Sequence, residues 1–126
     1  IGNWIDELDL KENVILEGFV ESIHEAIKDA KIFVLSSDYE GLCNSLMEAM
    51  MMGIPCISTN CTGSGELIED GETGLLVPMG DTAALAAAMV YLADDVLLQK
   101  KLAQNAREFS KRFAAERVIE HWNHLL

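Results

Sequence analysis

Short apolar runs alternate with helical patterns along this chain. The runs cover residues 14–19, 32–35, 55–58 and 74–77, and most of their positions are apolar. Consecutive apolar positions, rather than alternating ones, are typical of strands buried on both faces of a parallel sheet. The pattern therefore predicts four parallel strands.

Helical spacing of apolar positions fills the intervals between these runs. We predict helices over residues 22–30, 45–52, 64–68, 82–92, 94–111 and 112–126. Gly53 and Pro55 are expected to end the second of them. The alternation of strand and helix predicts an α/β fold with right-handed crossovers, a Rossmann-like parallel sheet flanked by helices.

Composition narrows the functions that such a fold can have. The chain has 126 residues, which suits about one domain, and half of them are hydrophobic, which predicts a packed core. A net charge of −12 argues against nucleic acid and against anionic membranes as partners. A small anion remains compatible, because a helix N-terminus binds phosphate without basic side chains.

The three cysteines, Cys43, Cys56 and Cys61, form no CxxC pair and lie far from any histidine. Their spacing does not suit a zinc site. We therefore expect reduced thiols in a cytoplasmic protein, and no metal site.

The most informative segment covers residues 36–50, which lead from a strand through a polar loop into a buried helix. Ligands of open α/β sheets bind outside the carboxyl ends of the strands. Backbone N–H groups at 44–46 could hold a diphosphate, Glu48 could bind a ribose, and Glu40 could reach a sugar. Alternatively, Ser45 and Glu48 form a capping box that starts a helix near Asn44 or Ser45, and Glu40 is a solvated loop charge. The spacing alone leaves both interpretations open.

The run from Glu40-Gly41 through Glu48-Ala49-Met50 resembles the donor-binding motif of group 1 (family 4) retaining glycosyltransferases of the GT-B fold. That motif has two glutamates separated by seven residues, with Gly after the first and Ala-Met after the second. Further resemblance covers residues 13–19, 30–36, 53–58, 63–68, 70–78 and 81–85. The resemblance implies that residues 1–126 are a single partial domain, the nucleotide-sugar-binding C-terminal part of such an enzyme.

The resemblance also implies roles for individual residues. Glu48 is expected to contact the ribose of the donor, and Glu40 is expected to be the catalytic and donor-binding residue near the transferred sugar. The loop between them is expected to bind the donor through its backbone amides, with the residues Gly41, Leu42, Cys43, Asn44, Ser45 and Leu46. The reaction would need no metal or other cofactor, and a UDP-sugar is favoured over a GDP-sugar, as in bacterial surface polysaccharide synthesis.

Residues 1–126 do not cover several parts of the family pattern. These are two strands, an Arg and a Lys that grip the diphosphate, and the N-terminal domain that binds the acceptor. We therefore expect a donor site that is inactive alone, in a cytoplasmic chain whose parent enzyme is membrane-associated. In the family the strand at 14–19 is separated from the strand at 32–35 by the two missing ones. The chain is therefore expected to close this gap, to borrow strands from a partner or to leave strand edges exposed, and exposed edges favour self-association.

Two other function classes fit an α/β chain of this size. One is a non-catalytic binding or assembly module that keeps the sheet without transfer activity. The other is a nucleotide-sugar epimerase of the same general architecture. The presence of both Glu40 and Glu48 favours the transferase over the module, and the close match of the whole segment between them argues against the epimerase.

Overall fold

A computed structural model of the protein describes residues 2–18, 21–36 and 44–125. Helices and strands alternate through these ranges, which confirms the predicted α/β class. In chain order they are α1 (Gly2–Glu7), α2 (Ile23–Ile27), β1 (Phe33–Leu35), α3 (Asn44–Met51), β2 (Cys56–Thr59), α4 (Thr62–Leu67), β3 (Leu75–Val77), α5 (Thr82–Ala93) and α6 (Val96–Leu125).

The sheet is parallel, with β2 between β1 and β3. Phe33 is in register with Cys56, and Ile57 is in register with Leu75. Three of the four predicted strands are thus confirmed, each within one residue of its predicted bounds. Because the strands are parallel, their carboxyl ends meet at one edge of the sheet.

The predicted strand at residues 14–19 is wrong over its described part, residues 14–18, which form no strand. The side chains of Ile15 and Leu16 are 77% and 63% exposed. The apolar run does suit a strand, but a strand needs a neighbour for its N–H and C=O groups. Among the described residues, no segment pairs with it.

The core has two halves, one on each face of the sheet. Residues that alternate along β1 and β2 point to opposite halves, as expected for a pleated strand. One half contains Leu46, Ala49, Met50, Ile54, Cys56, Leu67, Ile68 and Ala106. The other contains Ile57, Val77, Leu92 and Leu102. Helix α6 contributes to both halves because it crosses from one face to the other.

The helix predictions need correction in three places. Helix α2 ends at Ile27, three residues before its predicted bound. The predicted break near residue 111 is absent, and α6 is one helix of 30 residues that starts at Val96. Its sequence contains no Gly or Pro to interrupt it, and the Asp95 carboxylate caps its start by accepting from Leu98 N at 2.9 Å. Helix α1 was not predicted, because a helix of six residues has too few apolar positions to show a helical period.

No single helix in the described part of the chain is long and apolar enough to cross a membrane. Helix α5 and the first 18 residues of α6 are long and apolar enough only when they are taken together, and the two helices meet at a bend of 101°.

Candidate functional site

Helix α3 starts at the edge of the sheet where the strands end. The chain leaves β1 at Leu35 and begins α3 at Asn44, and α3 then contacts β1, β2, α2 and α6. In a parallel crossover the helix runs back along the sheet, so its N-terminus faces the carboxyl ends of the strands. The first-turn N–H groups of α3, which have no acceptor within the helix, therefore point towards that edge.

The predicted site residues divide into two groups. Glu40, Gly41, Leu42 and Cys43 lie outside the described residues, so their predicted roles remain predictions. Asn44, Ser45, Leu46 and Glu48 all lie in α3. The structure therefore places the second half of the predicted site on one helix at the expected edge of the sheet.

Side chains within α3 differ in how deeply they are buried. Leu46 is fully buried in the core, so only its backbone N–H can serve a ligand. Ser45 and Glu48 are half-buried. Because the helix begins at Asn44, Ser45 lies inside it rather than at the N-cap, so the structure does not support a capping box between Ser45 and Glu48.

Glu48 lies one turn into α3, and the helix is held rigidly around it. Leu46, Ala49 and Met50 are all fully buried, and together they pack the inner side of the helix against β1, β2 and α6. A half-buried carboxylate on such a helix can accept hydrogen bonds from a ligand without a large loss of side-chain entropy. The first-turn amides and the helix dipole add a site for an anion close by.

A small cavity lies at the same edge of the sheet. It has a volume of about 150 Å³ and is lined by Ser36, Thr59, Gly80, Asp81, Thr82 and Leu85. Ser36 directly follows β1, Thr59 ends β2, and Asp81 caps α5 by accepting from Ala84 N at 2.9 Å. Ligand pockets usually have about 300–1,000 Å³, so this cavity holds at most a part of a nucleotide sugar.

Sequence reasoning missed this cavity, because its lining residues come from three separate segments. The sequence pattern does not show that these segments meet around one cavity. The available signal was that Ser36 and Thr59 are polar residues at or just after the ends of buried strands, where ligands of α/β sheets bind.

A larger concavity of about 580 Å³ lies near the start of α2. It is lined by Glu17, Glu21, Ser22, Glu25 and Ala26. Three carboxylates repel a diphosphate, so this surface does not suit the phosphates of a nucleotide sugar.

The Gly63-Ser64-Gly65 sequence could have been a phosphate-binding loop or a turn before a helix. The structure places it within α4. The hydroxyl of Ser64 is buried and lies 2.6 Å from the Thr59 carbonyl oxygen, and it also accepts from Cys61 N at 3.2 Å. The Ser64 hydroxyl therefore organises the start of α4.

Cys56 is fully buried, and its Sγ donates to the Ile54 carbonyl oxygen at 3.1 Å. Burial raises the pKa of this thiol from 9.0 to about 12. Cys61 is also buried. A catalytic cysteine is exposed and has a lowered pKa, so Cys56 is no nucleophile. No group of three or more His, Cys, Asp or Glu side chains in the described ranges could hold a metal ion.

Comparison with known proteins agrees with the fold. The family model described as glycosyl transferases group 1 matches residues 2–95. The crystal structure of Anabaena HepE in complex with UDP superposes with a TM-score of 0.87 and 23% identity, over 99% of this chain and 36% of that one. The UDP-Gal:α-D-GlcNAc-diphosphoundecaprenol α-1,3-galactosyltransferase of Escherichia coli is 31% identical over 96 residues, 76% of this chain and 25% of that protein.

A further relative is the amylovoran biosynthesis glycosyltransferase AmsK of Erwinia amylovora. It is 37% identical over 125 residues, which are 89% of this chain and 31% of AmsK. The chain spans only about a third or less of the length of the curated relatives that it matches.

Proposed function

The chain belongs to the group 1 glycosyl transferases, and on that premise we propose that it carries the donor half of a sugar-transfer site. The whole protein transfers a sugar from a nucleotide-diphosphate sugar to an acceptor, with retention of anomeric configuration, in the synthesis of a bacterial surface polysaccharide. The observation that supports this most is the position of Glu48, half-buried and one turn into α3, at the carboxyl edge of a parallel sheet.

In this proposal Glu48 accepts hydrogen bonds from the two ribose hydroxyls, and Glu40 contacts the transferred sugar. The backbone from Gly41 to Leu46 binds the sugar and the diphosphate. Negative charge grows on the diphosphate as it leaves. The positive end of the α3 dipole, aimed at that position, stabilises this charge without any metal.

Two relatives support the choice of donor and the stereochemistry. The E. coli relative uses UDP-Gal and forms an α-1,3 linkage, as its name states. Because the galactose of UDP-Gal is itself α-linked, an α product means retention. HepE was crystallised with UDP. We therefore propose a UDP-sugar as the donor.

The relatives also support a bacterial polysaccharide as the product. AmsK acts in amylovoran biosynthesis, and the acceptor of the E. coli enzyme is a sugar linked to diphosphoundecaprenol, a lipid. A lipid-linked acceptor would bring the parent enzyme to a membrane surface. The present chain would work on the cytoplasmic side, where nucleotide sugars are made.

We further propose that the present chain does not turn over donor by itself. The chain spans about a third of these relatives, and in this proposal the residues that bind the acceptor belong to the rest of the protein. The open edge of β1 would instead favour self-association of the isolated chain.

An NMR titration with UDP, GDP and ADP tests the donor site. Saturable shifts of α3 amides with UDP are expected, and Glu48→Gln is expected to lower the affinity at least tenfold, because hydrogen bonds to a charged group contribute about 1.5–3 kcal/mol each. Glu116→Gln, which neutralises an exposed glutamate on α6, is the control and should bind like the wild type.

Equal affinity of the wild type and Glu48→Gln would contradict the assigned role of Glu48. If neither this chain nor the full-length protein bound any nucleotide, the chain would instead be a non-catalytic assembly module.

A further inference from the structure

The C-terminal end of α3 is closed by a glycine turn. Met52 follows the last helical residue, and Gly53 has a φ of +75°, which glycine adopts without strain. Gly53 N donates to the Met50 carbonyl at 3.1 Å, and Ile54 N donates to the Ala49 carbonyl at 3.1 Å. These are the two hydrogen bonds of a Schellman turn, and neither of them uses the Met52 carbonyl.

The Met52 carbonyl is bound by a residue of α6. Nη2 of Arg107 donates to it at 3.1 Å, across 55 positions of sequence. The guanidinium lies directly on Gly53, where a Cβ atom would be 2.8 Å from Cζ and closer still to Nη2. Only glycine leaves room for Arg107 here. The positive charge of Arg107 also lies at the negative end of the α3 dipole, which is a favourable position.

Apolar side chains make a second part of the contact between α3 and α6. Ala106, Phe109 and Phe113 of α6 pack in the same half of the core as Leu46 and Met50 of α3. Apolar packing is not directional, and packed helices can slide by small amounts along each other. A charge-assisted hydrogen bond has a defined length and direction, so the Arg107 contact limits such sliding.

We propose that Arg107 is a positioning residue of the donor site: by holding the C-terminal end of α3, it sets where Glu48 and the first-turn amides of α3 lie. This inference rests on the proposed function. Arg107 does not contact the donor, because the eight residues of α3 span about 12 Å at a rise of 1.5 Å per residue. That distance exceeds the Debye length of about 8 Å at physiological salt, so Arg107 acts through the position of the helix.

The test is steady-state kinetics of the natural full-length protein with Arg107→Met, at a temperature where thermal melts show the variant folded. The KM for the donor is expected to rise about five- to tenfold, while the KM for the acceptor stays within twofold. Arg107→Lys should recover part of the loss, because its ammonium group can still donate to the Met52 carbonyl.

Lys111→Met is the matched control. Lys111 is exposed on α6 one turn beyond Arg107 and lines the same groove on that helix, so its replacement removes the same charge. The donor KM of Lys111→Met is expected to stay within twofold of the wild type. If Arg107→Met does not fold, Arg107→Gln replaces it, because its amide is too short to reach Met52 and the same rise in KM is expected.

The proposal is overturned if a folded Arg107 variant melts at a lower temperature but keeps the donor KM of the wild type, or if Lys111→Met reproduces the rise. Glu48→Gln separates this failure from failure of the donor site itself. If Glu48→Gln raises the donor KM and Arg107→Met does not, only the role assigned to Arg107 is wrong. If neither variant changes the donor KM, both assignments are wrong.

Discussion

At the scale of single residues, burial controls the chemistry of Cys56. Its thiol has a pKa of about 12 because the thiolate would lose its hydration in the core. Cys56 also lies on β2 in register with Phe33, among apolar side chains. The thiol of Cys56 is free, as the sequence predicts, and desolvation keeps it protonated.

The raised pKa makes stability depend on pH at the alkaline end. Above pH 9.0 the unfolded thiol ionises while the folded one stays protonated up to about pH 12. The unfolded state then binds fewer protons, so stability falls as pH rises. We expect Cys56 to contribute a loss of about 2 kcal/mol between pH 8 and 10.5. Urea unfolding at both pH values measures it, and Cys56→Ala should lack this part of the loss. Parallel pH profiles for the two proteins would contradict the assignment.

Gly53 allows a second residue-scale prediction, since its φ of +75° and its contact with Arg107 can be separated. Gly80 has a φ of +76° and open space around the position of a Cβ atom. An alanine at such a φ costs about 1–2 kcal/mol. We expect Gly80→Ala to lower the free energy of unfolding by that amount, and Gly53→Ala to lower it by about 1 kcal/mol more, because it displaces the guanidinium. Equal losses in urea unfolding would mean that Arg107 moves aside at no cost.

At the scale of elements, α5 shows how little composition says about burial. The helix is apolar nearly all round, yet Leu92 is its one fully buried side chain, whereas Val90 and Tyr91 are 63% and 61% exposed. Only one face of α5 meets the sheet, through β2 and β3, and α6 covers a further part. A hydrophobic sequence therefore predicts the helix here but not which of its faces is buried.

Truncations in α5 test this arrangement. Leu92→Ala is expected to lower the free energy of unfolding by about 2–5 kcal/mol, because it leaves a cavity in the core. Val90→Ala, two residues away in the same helix, should change it by at most about 0.5 kcal/mol. Urea unfolding of both variants measures the difference. A similar loss in both would mean that the outer face of α5 is covered in solution.

At the scale of the whole molecule, β1 is an edge strand, because within residues 2–18, 21–36 and 44–125 only β2 pairs with it. Phe33 N donates to the Pro55 carbonyl, so the N–H of Val34 points away from β2. Unpaired strand edges favour association. We expect the isolated chain to show a mass that rises with concentration in sedimentation equilibrium.

Val34→Pro is expected to weaken this association at least tenfold, because it removes the outward N–H while proline is tolerated on edge strands. Val90→Lys removes exposed apolar surface on α5 and leaves the edge intact, so it should associate like the wild type. If Val90→Lys weakened the association and Val34→Pro did not, α5 would be the contact surface. Circular dichroism checks that both variants are folded.

The local structure of this protein could be predicted from neighbouring residues. Gly53 ends α3 and Asp81 caps α5, as their residue types indicate. The two glutamates of the segment 40–48 pointed to a donor site, although only Glu48 lies among the described residues. The signals at Gly53 and Asp81 act over about four positions, which is the range of helix hydrogen bonds and caps, whereas the donor site was inferred from a family resemblance.

Contacts between distant residues were decided only by the tertiary structure. The apolar run at residues 14–18 has strand composition, but in the described part of the chain no strand lies beside it. The Arg107 contact with Met52 joins residues 55 positions apart, and the cavity at Ser36, Thr59 and Asp81 draws on three separate segments. A strand or a site of this kind exists only when the fold supplies the other half of its contacts. No local sequence pattern indicates whether the fold supplies those contacts.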